Sequence, residues 1–226
     1  VYDDPGIEDT DLFLGLLLMS ERRAVAALRE MEGLTKPGIY THVTDRALHQ
    51  KRILEEAGYA IGKYIFNMHI DLDGKIPAPV LPERSIIRTA RTGQDDRAIH
   101  ALVQEAFDWR ERTPQLFEDW QEFMMRPDIY DETLWFLAEK DGKLIGTCLC
   151  TTYTDIGWIR QLAVKKSQRG QGIGRTLLLN AFHEFKSRGF PKAGLAVESE
   201  NPNAYRFYQT AGMYKAVHLD EYVKKV

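Results

Sequence analysis

Apolar residues in the second half of the chain change period repeatedly, and the changes mark elements. Ser85 to Ala90 reads as a strand. From Asp95 to Phe107, apolar residues at 99, 102, 103 and 106 follow helical spacing. Thr113-Pro114 has the form of an N-cap with proline at the first helical position, ahead of Phe117, Trp120 and Met124. Leu134 to Glu139 and Leu144 to Tyr153 read as strands joined across Asp141-Gly142, a hairpin signal. Gly157 to Val164 is the next strand. A helix follows from Ile173 to about Arg188, burying Ile173, Leu177, Leu178, Ala181, Phe182 and Phe185, and Gly189 with Pro191 stops it. Ala193 to Glu198 is a strand, and Asn201-Pro202 opens a helix that Gly212 ends. Tyr214 to His218 and Glu221 to Lys225 are expected to close as a hairpin. The order β-α-α-β-β-β-α-β-α-β-β gives an α/β fold, with mixed α+β layering on one mixed sheet.

The first half echoes the second. Residues 47–72 resemble residues 201–226 at a shift of 154, with Ala57 under Ala211, Gly58 under Gly212 and Ile53-Leu54 under Phe207-Tyr208. So long a period means duplicated domains rather than a solenoid. The expected organisation is a partial, degenerate unit over 1–72, a proline-rich linker over 73–84 and a complete unit over 85–226. The first unit opens with an apolar helix, Leu12 to Met31. Its run Leu12 to Met19 is too short to span a bilayer and follows acidic rather than basic residues, so it reads as a buried helix. The short first unit and the start at Val1 imply either a missing upstream segment or a homodimer in which another chain completes the sheet.

Composition narrows the partners. Thirty basic and thirty-three acidic residues give a net charge of −3, and 44% hydrophobic with 28% charged residues is an ordinary soluble balance. Neither nucleic acid nor membrane is indicated. Cys148 and Cys150 share a strand face, poorly placed for a mutual disulfide. With no export signal they point to a reducing, cytoplasmic compartment. The six histidines show no metal-ligand spacing, and no metal is expected.

The chemistry concentrates at Gln168-Arg169-Gly170-Gln171-Gly172-Ile173-Gly174, with Arg175 beyond. A strand, a glycine-rich turn and a helix N-terminus form an anion cradle. Glycines let backbone N–H groups converge, and the first helical turn adds unpaired donors at the positive end of its dipole. The ligand is a pyrophosphate. A dinucleotide fingerprint would need a third glycine at Arg175 or Leu177, and a nucleotide-hydrolase loop would need Lys-Ser/Thr after a glycine at Arg175; neither is present.

Arg-x-x-Gly-x-Gly resembles the pyrophosphate signature of the GNAT superfamily of N-acetyltransferases, which bind acetyl-coenzyme A. The stretch Asn201 to Met213 is similar to that family's second signature, and the resemblance covers about residues 85–226. It implies the GNAT acyl-CoA N-acyltransferase fold, acetyl-coenzyme A as donor and coenzyme A as product. It also implies a pantetheine arm held by the backbone of Leu162, Ala163 and Val164, and Tyr208 as general acid. Asn201, Asn203, Ala204, Arg206 and Phe207 join Tyr208 as coenzyme contacts. A degenerate copy ahead of an active one is similar to mycothiol synthase and its tandem-domain relatives. This chain departs from that enzyme in its truncated first unit.

The general base is left open. Many family members carry a Glu on the strand before the loop, where this chain has Trp158, Ile159, Arg160 and Gln161. Glu198 is the first candidate; Glu200, Asp155 and water are others. Cys148 and Cys150 read as small buried residues rather than acyl carriers. The acceptor is expected to be a small-molecule amine in a groove containing Phe107, Trp109, Trp120 and Tyr153. A non-catalytic acyl-coenzyme A sensor would carry the same loop. In the first copy, Glu8 to Asp11 stands at the loop and Leu54 at the tyrosine, so one coenzyme per chain is expected.

Overall fold

The computed structural model describes residues 10–30, 38–107 and 115–226. The elements run α1 (Thr10–Glu30), β1 (Gly38–Thr44), α2 (Leu48–Glu56), β2 (Ala60–Asp71), β3 (Ser85–Thr89), α3 (Asp96–Phe107) and α4 (Phe117–Met124). They continue with β4 (Trp135–Lys140), β5 (Lys143–Tyr153), β6 (Ile156–Val164), α5 (Ile173–Ser187), β7 (Lys192–Glu198), α6 (Pro202–Thr210) and β8 (Tyr214–Lys225). The strands form one mixed sheet ordered β1-β8-β2-β7-β6-β5-β4-β3. This is the expected α/β class.

Two compact units are interleaved along the chain. One comprises residues 1–67, 197–207 and 215–226; the other comprises 68–196 and 208–214. The 154-residue shift reappears in the elements themselves. β1, α2 and β2 have 7, 9 and 12 residues, and β7, α6 and β8 have the same three lengths. Each starts 154 residues after its counterpart: 192 − 38, 202 − 48 and 214 − 60.

In the larger unit, α3 and α4 cover one sheet face. Ile99, Leu102, Val103, Trp120 and Met124 pack on Trp135, Leu137, Leu149 and Ala163. α5 covers the other face through Ile173, Leu177, Leu178, Ala181, Phe182 and Phe185. It sits close because β5 and β6 present glycines to it: a Cβ on Gly157 would lie 2.2 Å from Phe185 Cγ. The β4–β5 turn has positive φ at both Asp141 (50°) and Gly142 (72°), as a type I′ hairpin requires. Residues 72–80 are not a free linker. Lys186 Nζ donates to the Gly74 carbonyl at 2.7 Å, and Thr176 Oγ1 donates to that of Val80 at 2.5 Å. His183 Nε2 is 3.0 Å from the Pro77 carbonyl, so the segment straps α5.

In the other unit, Val43, Leu54, Tyr59 and Tyr222 form a core against which Phe13 and Leu17 pack. β8 pairs antiparallel with β1 from Gly38↔Lys225 to Thr44↔Leu219.

Three expectations are corrected. Residues 214–225 are one continuous strand, not a hairpin, because no glycine follows Asp220 to complete a two-residue turn and β1 supplies a ladder partner through Leu219-Asp220. The apolar run of α1 is not buried: only its Phe13 and Leu17 side packs, while Leu12, Leu16 and Met19 on another side are 55%, 38% and 64% exposed. α4 begins at Phe117 with Leu116 at its N-cap, while Thr113-Pro114 lies outside the described residues.

Candidate active site

β6 is the strand that positions the site. It pairs with β5 as far as Gly146↔Val164. Its parallel pairing with β7 runs only from Ile156↔Lys192 to Ile159↔Leu195. Beyond that pair the two parallel strands part. Two features fit the opening. The β5 register steps from Leu149↔Gln161 to Cys150↔Ile159, so Arg160 is an extra residue and β6 bulges there. Ala196, one residue past the last pair on β7, is exposed although Leu195 and Val197 are buried. The backbone of Leu162, Ala163 and Val164 therefore borders an opened edge, which an extended chain can join as an added strand.

The glycine loop follows directly. Gly170 and Gly172 have φ of +78° and +82°, in the left-handed region. A Cβ at either would meet nothing within 4 Å, so the loop faces open space. Gly172 is the N-cap of α5 and accepts the helix's first bond from Thr176 N at 2.9 Å. The amides of Ile173, Gly174 and Arg175 thus form the unpaired first turn. Gln168 carries a buried Oε1 without a hydrogen-bond partner. The two arginines brace the loop. Arg169 Nε and Nη2 donate to the carbonyls of Val164 (3.2 Å) and Ala106 (3.0 Å). Arg175 Nη1 donates to the Thr210 carbonyl at 2.8 Å. Gln171 is exposed beside them. Open positive-φ glycines, free helix amides and a cationic border suit a pyrophosphate.

α6 starts as the sequence indicates: Asn201 Oδ1 accepts from Ala204 N at 3.1 Å. Asn201, Asn203, Ala204, Arg206 and Phe207 belong to the smaller unit, while Tyr208 belongs to the larger one. Burial, with the Cys148 thiol adding, pushes the Tyr208 phenol above its ordinary range. It therefore keeps its proton throughout the neutral range. Cys148 and Cys150 are buried free thiols with Sγ atoms 3.6 Å apart, and burial pushes Cys150 up in turn.

Glu198 lies elsewhere in the charge pattern. In the smaller unit its Oε1 accepts from Lys63 Nζ at 2.8 Å, and Lys63 also pairs with Glu221, which meets His42 Nε2 at 3.1 Å. Trp120, expected in an acceptor groove, is instead fully buried, its Nε1 donating to Gln161 Oε1 at 3.2 Å. Tyr153 is exposed, and Trp109 lies outside the described residues. Sequence reasoning passed over His69, on β2. Its ring meets Trp158 of β6 at 6.3 Å, and no local motif marks it. Among the described residues, no group of His, Cys, Asp and Glu is arranged to hold a metal, and no helix is long and apolar enough to cross a membrane.

A parallel pair thus opens beside a glycine loop, inside a mixed sheet of eight strands among the described residues. The acetyltransferase (GNAT) family matches residues 97–213, and the chain belongs to it. A mycothiol acetyltransferase of Thermobispora bispora is 31% identical over 169 residues, covering 71% of this chain and 57% of that protein. One from Thermomonospora curvata is 34% identical over 142 residues, covering 62% and 48%. The chain thus spans about half the length of these curated relatives. Among solved structures, a GCN5-related N-acetyltransferase from Sphaerobacter thermophilus superposes with a TM-score of 0.79 at 29% identity, covering 96% of this chain and 69% of that one.

Proposed function

We propose that the protein moves an acetyl group from acetyl-coenzyme A to the primary amine of a small molecule by direct attack. The observation that carries this reading is the end of the β6–β7 ladder at Ile159↔Leu195, immediately before the glycine loop. The pyrophosphate binds the amides of residues 170–175. The pantetheine arm pairs with the free edge of Leu162, Ala163 and Val164, which brings the thioester to the bulge at Arg160. The family resemblance names Asn201, Asn203, Ala204, Arg206 and Phe207 of α6 as further coenzyme contacts. Gln168, at the start of the loop, offers its Nε2 as an N–H donor to the same ligand.

The amine nitrogen attacks the thioester carbonyl, the C–S bond breaks, and Tyr208 gives its proton to the departing thiolate. A phenol still holds its proton at neutral pH when the thiolate forms, as an acid must, and burial makes this one a weaker donor than a free tyrosine. The matched elements β1-α2-β2 and β7-α6-β8 support a duplicated origin. Leu54 at the tyrosine position supports a single catalytic copy and one coenzyme per chain.

The test is release of coenzyme A thiol from acetyl-coenzyme A across a panel of primary amines, amino sugars and the amine precursor of mycothiol first. Acceptor-dependent release supports the reading. Tight acetyl-coenzyme A binding with no such release replaces it with a sensor. With an accepted amine, Tyr208→Phe lowers kcat by at least about tenfold while the Kd for acetyl-coenzyme A stays put. Wild-type turnover in that variant removes Tyr208 from the chemistry.

A further inference from the structure

The sheet face opposite α5 holds an aromatic group that the reaction above has not used. Gly157 points at Phe185 of α5, so its neighbour Trp158 points to the α3–α4 face. Trp158 pairs with Gly194 of β7. Gly194 has no side chain, and a Cβ there would stand 2.7 Å from Trp158 Cζ3 and 2.9 Å from His69 Cδ2. The missing Cβ lets indole and imidazole meet across β7, with ring centroids 6.3 Å apart and planes at 85°. Tyr214 closes the other side of His69 at 6.4 Å, and Tyr153 meets Trp158 at 6.3 Å. The group lies one step behind Ile159↔Leu195, the last pair before the strands part. Arg160, where the thioester is placed, is two residues along β6, about 7 Å.

His69 differs from the other histidines. Among the described residues, His42 pairs with Glu221, and His218 with Asp45 and Asp220. His100 meets the Gln115 carbonyl, His183 that of Pro77, and His49 the Arg52 guanidinium. The contacts of His69 are aromatic edges, which leave its ring nitrogens for a ligand. Trp158 stands on the strand where the family resemblance would put a Glu. Glu198, the other candidate, is held by Lys63.

We propose that His69 is the general base, taking the proton from the attacking amine. The inference rests on the acetyltransferase reading above. Nitrogen bonds to the carbonyl carbon and its proton passes to the imidazole. The C–S bond breaks, and Tyr208 protonates the thiolate. The products are an amide and coenzyme A; His69 then loses its proton to solvent, from which Tyr208 is reprotonated. The base and the acid stand on opposite faces. Leu149 packs among α3 and α4, so Cys148 and the neighbouring Tyr208 lie on the α5 face. The first copy lacks the arrangement: at the positions of Gly194 and His69, 154 residues away, stand Tyr40 and Val223, themselves paired. His69 lies on the last strand of that first copy, so the inactive repeat supplies a residue to the active one.

The groups facing His69 set its titration. They are Lys192 on β7, Asp71 on its own strand, Asp155 in the β5–β6 turn, and Tyr214, whose hydroxyl donates to Asp71. Burial, then Lys192, lowers its pKa, against the pull of Asp71 and Asp155. A base must be neutral, so kcat/KM falls on the acid side, below the ordinary histidine value.

The experiment compares wild type, His69→Gln, His69→Ala and Glu198→Gln in acetyl-coenzyme A thiol release with an accepted amine, alongside acetyl-coenzyme A Kd and Tm. The expected result for His69→Gln is a fall in kcat of roughly 30-fold or more with Kd unchanged and the acid limb gone. His69→Ala should regain turnover with added imidazole, which a packing defect would not. His69→Gln within about threefold of wild type, or loss of the acid limb in Glu198→Gln instead, overturns the assignment. Absence of acceptor-dependent release in wild type overturns the acetyltransferase reading, and this proposal with it.

Discussion

Single residues here act largely through what they leave out or neutralise. Gly194 admits two rings, and Gly157 admits Phe185. Arg88 bridges two carboxylates with its one charge: its Nη1 and Nη2 donate to Asp95 at 2.7 and 2.8 Å, and its Nη2 also donates to Glu139 at 2.6 Å. The hydrogen bond to Arg88 holds Asp95 below its ordinary range and lifts Arg88 in turn. Because the native pKa of Asp95 is depressed, its stabilisation is full above the unfolded carboxyl value and is lost as pH falls through the native one. Asp95→Asn should cost about 1–2 kcal/mol at neutral pH, discounted for partial exposure, and should flatten the acid limb of stability in urea titrations at successive pH values. The glycine loop was legible because each of its residues serves a local need. His69 was not, since its role comes from a strand order that sets it beside β7, and nothing around it in the chain announces that neighbour.

At the scale of elements, glycine and proline made the second half readable. Gly142, Gly189 and Gly212 all have positive φ, and each ends or turns an element where the sequence places it. The terminal strand was misread as a hairpin because alternation alone does not say where a strand stops when no turn residue interrupts it. The burial of α1 was misread because an apolar run does not say how many sides find a partner. The loop at the start of α5 is the element most exposed to a conformational test. An alanine at Gly172 must adopt φ near +82°, at a cost of about 1–2 kcal/mol. If half or more of that strain falls on the liganded loop, the Kd for acetyl-coenzyme A in calorimetry rises severalfold to tenfold. A smaller change in Tm is expected, because the site is open.

The whole molecule departs most from its linear reading. Sequence divides it at a proline-rich segment, whereas the compact units cross β2 and β7 and separate Phe207 from Tyr208. β2 stands between β8 and β7 in the strand order, so a chain starting at residue 85 would keep the glycine loop and Tyr208 but lose that strand and His69. Such a fragment should show no cooperative thermal transition and should aggregate in size-exclusion chromatography, since two strand edges lose their partner. The full chain should elute as a discrete species.

The strap over α5 also ties two distant carbonyls to a single hydrogen. Thr176 Oγ1 lies 2.5 Å from the Val80 carbonyl and 3.1 Å from that of Gly172, the residue that turns the glycine loop into its helix. A hydroxyl has one proton to donate. The two carbonyls compete for that proton, while Thr176 N holds the Gly172 carbonyl besides. The proline-rich segment and the glycine loop therefore share one donor at the start of α5.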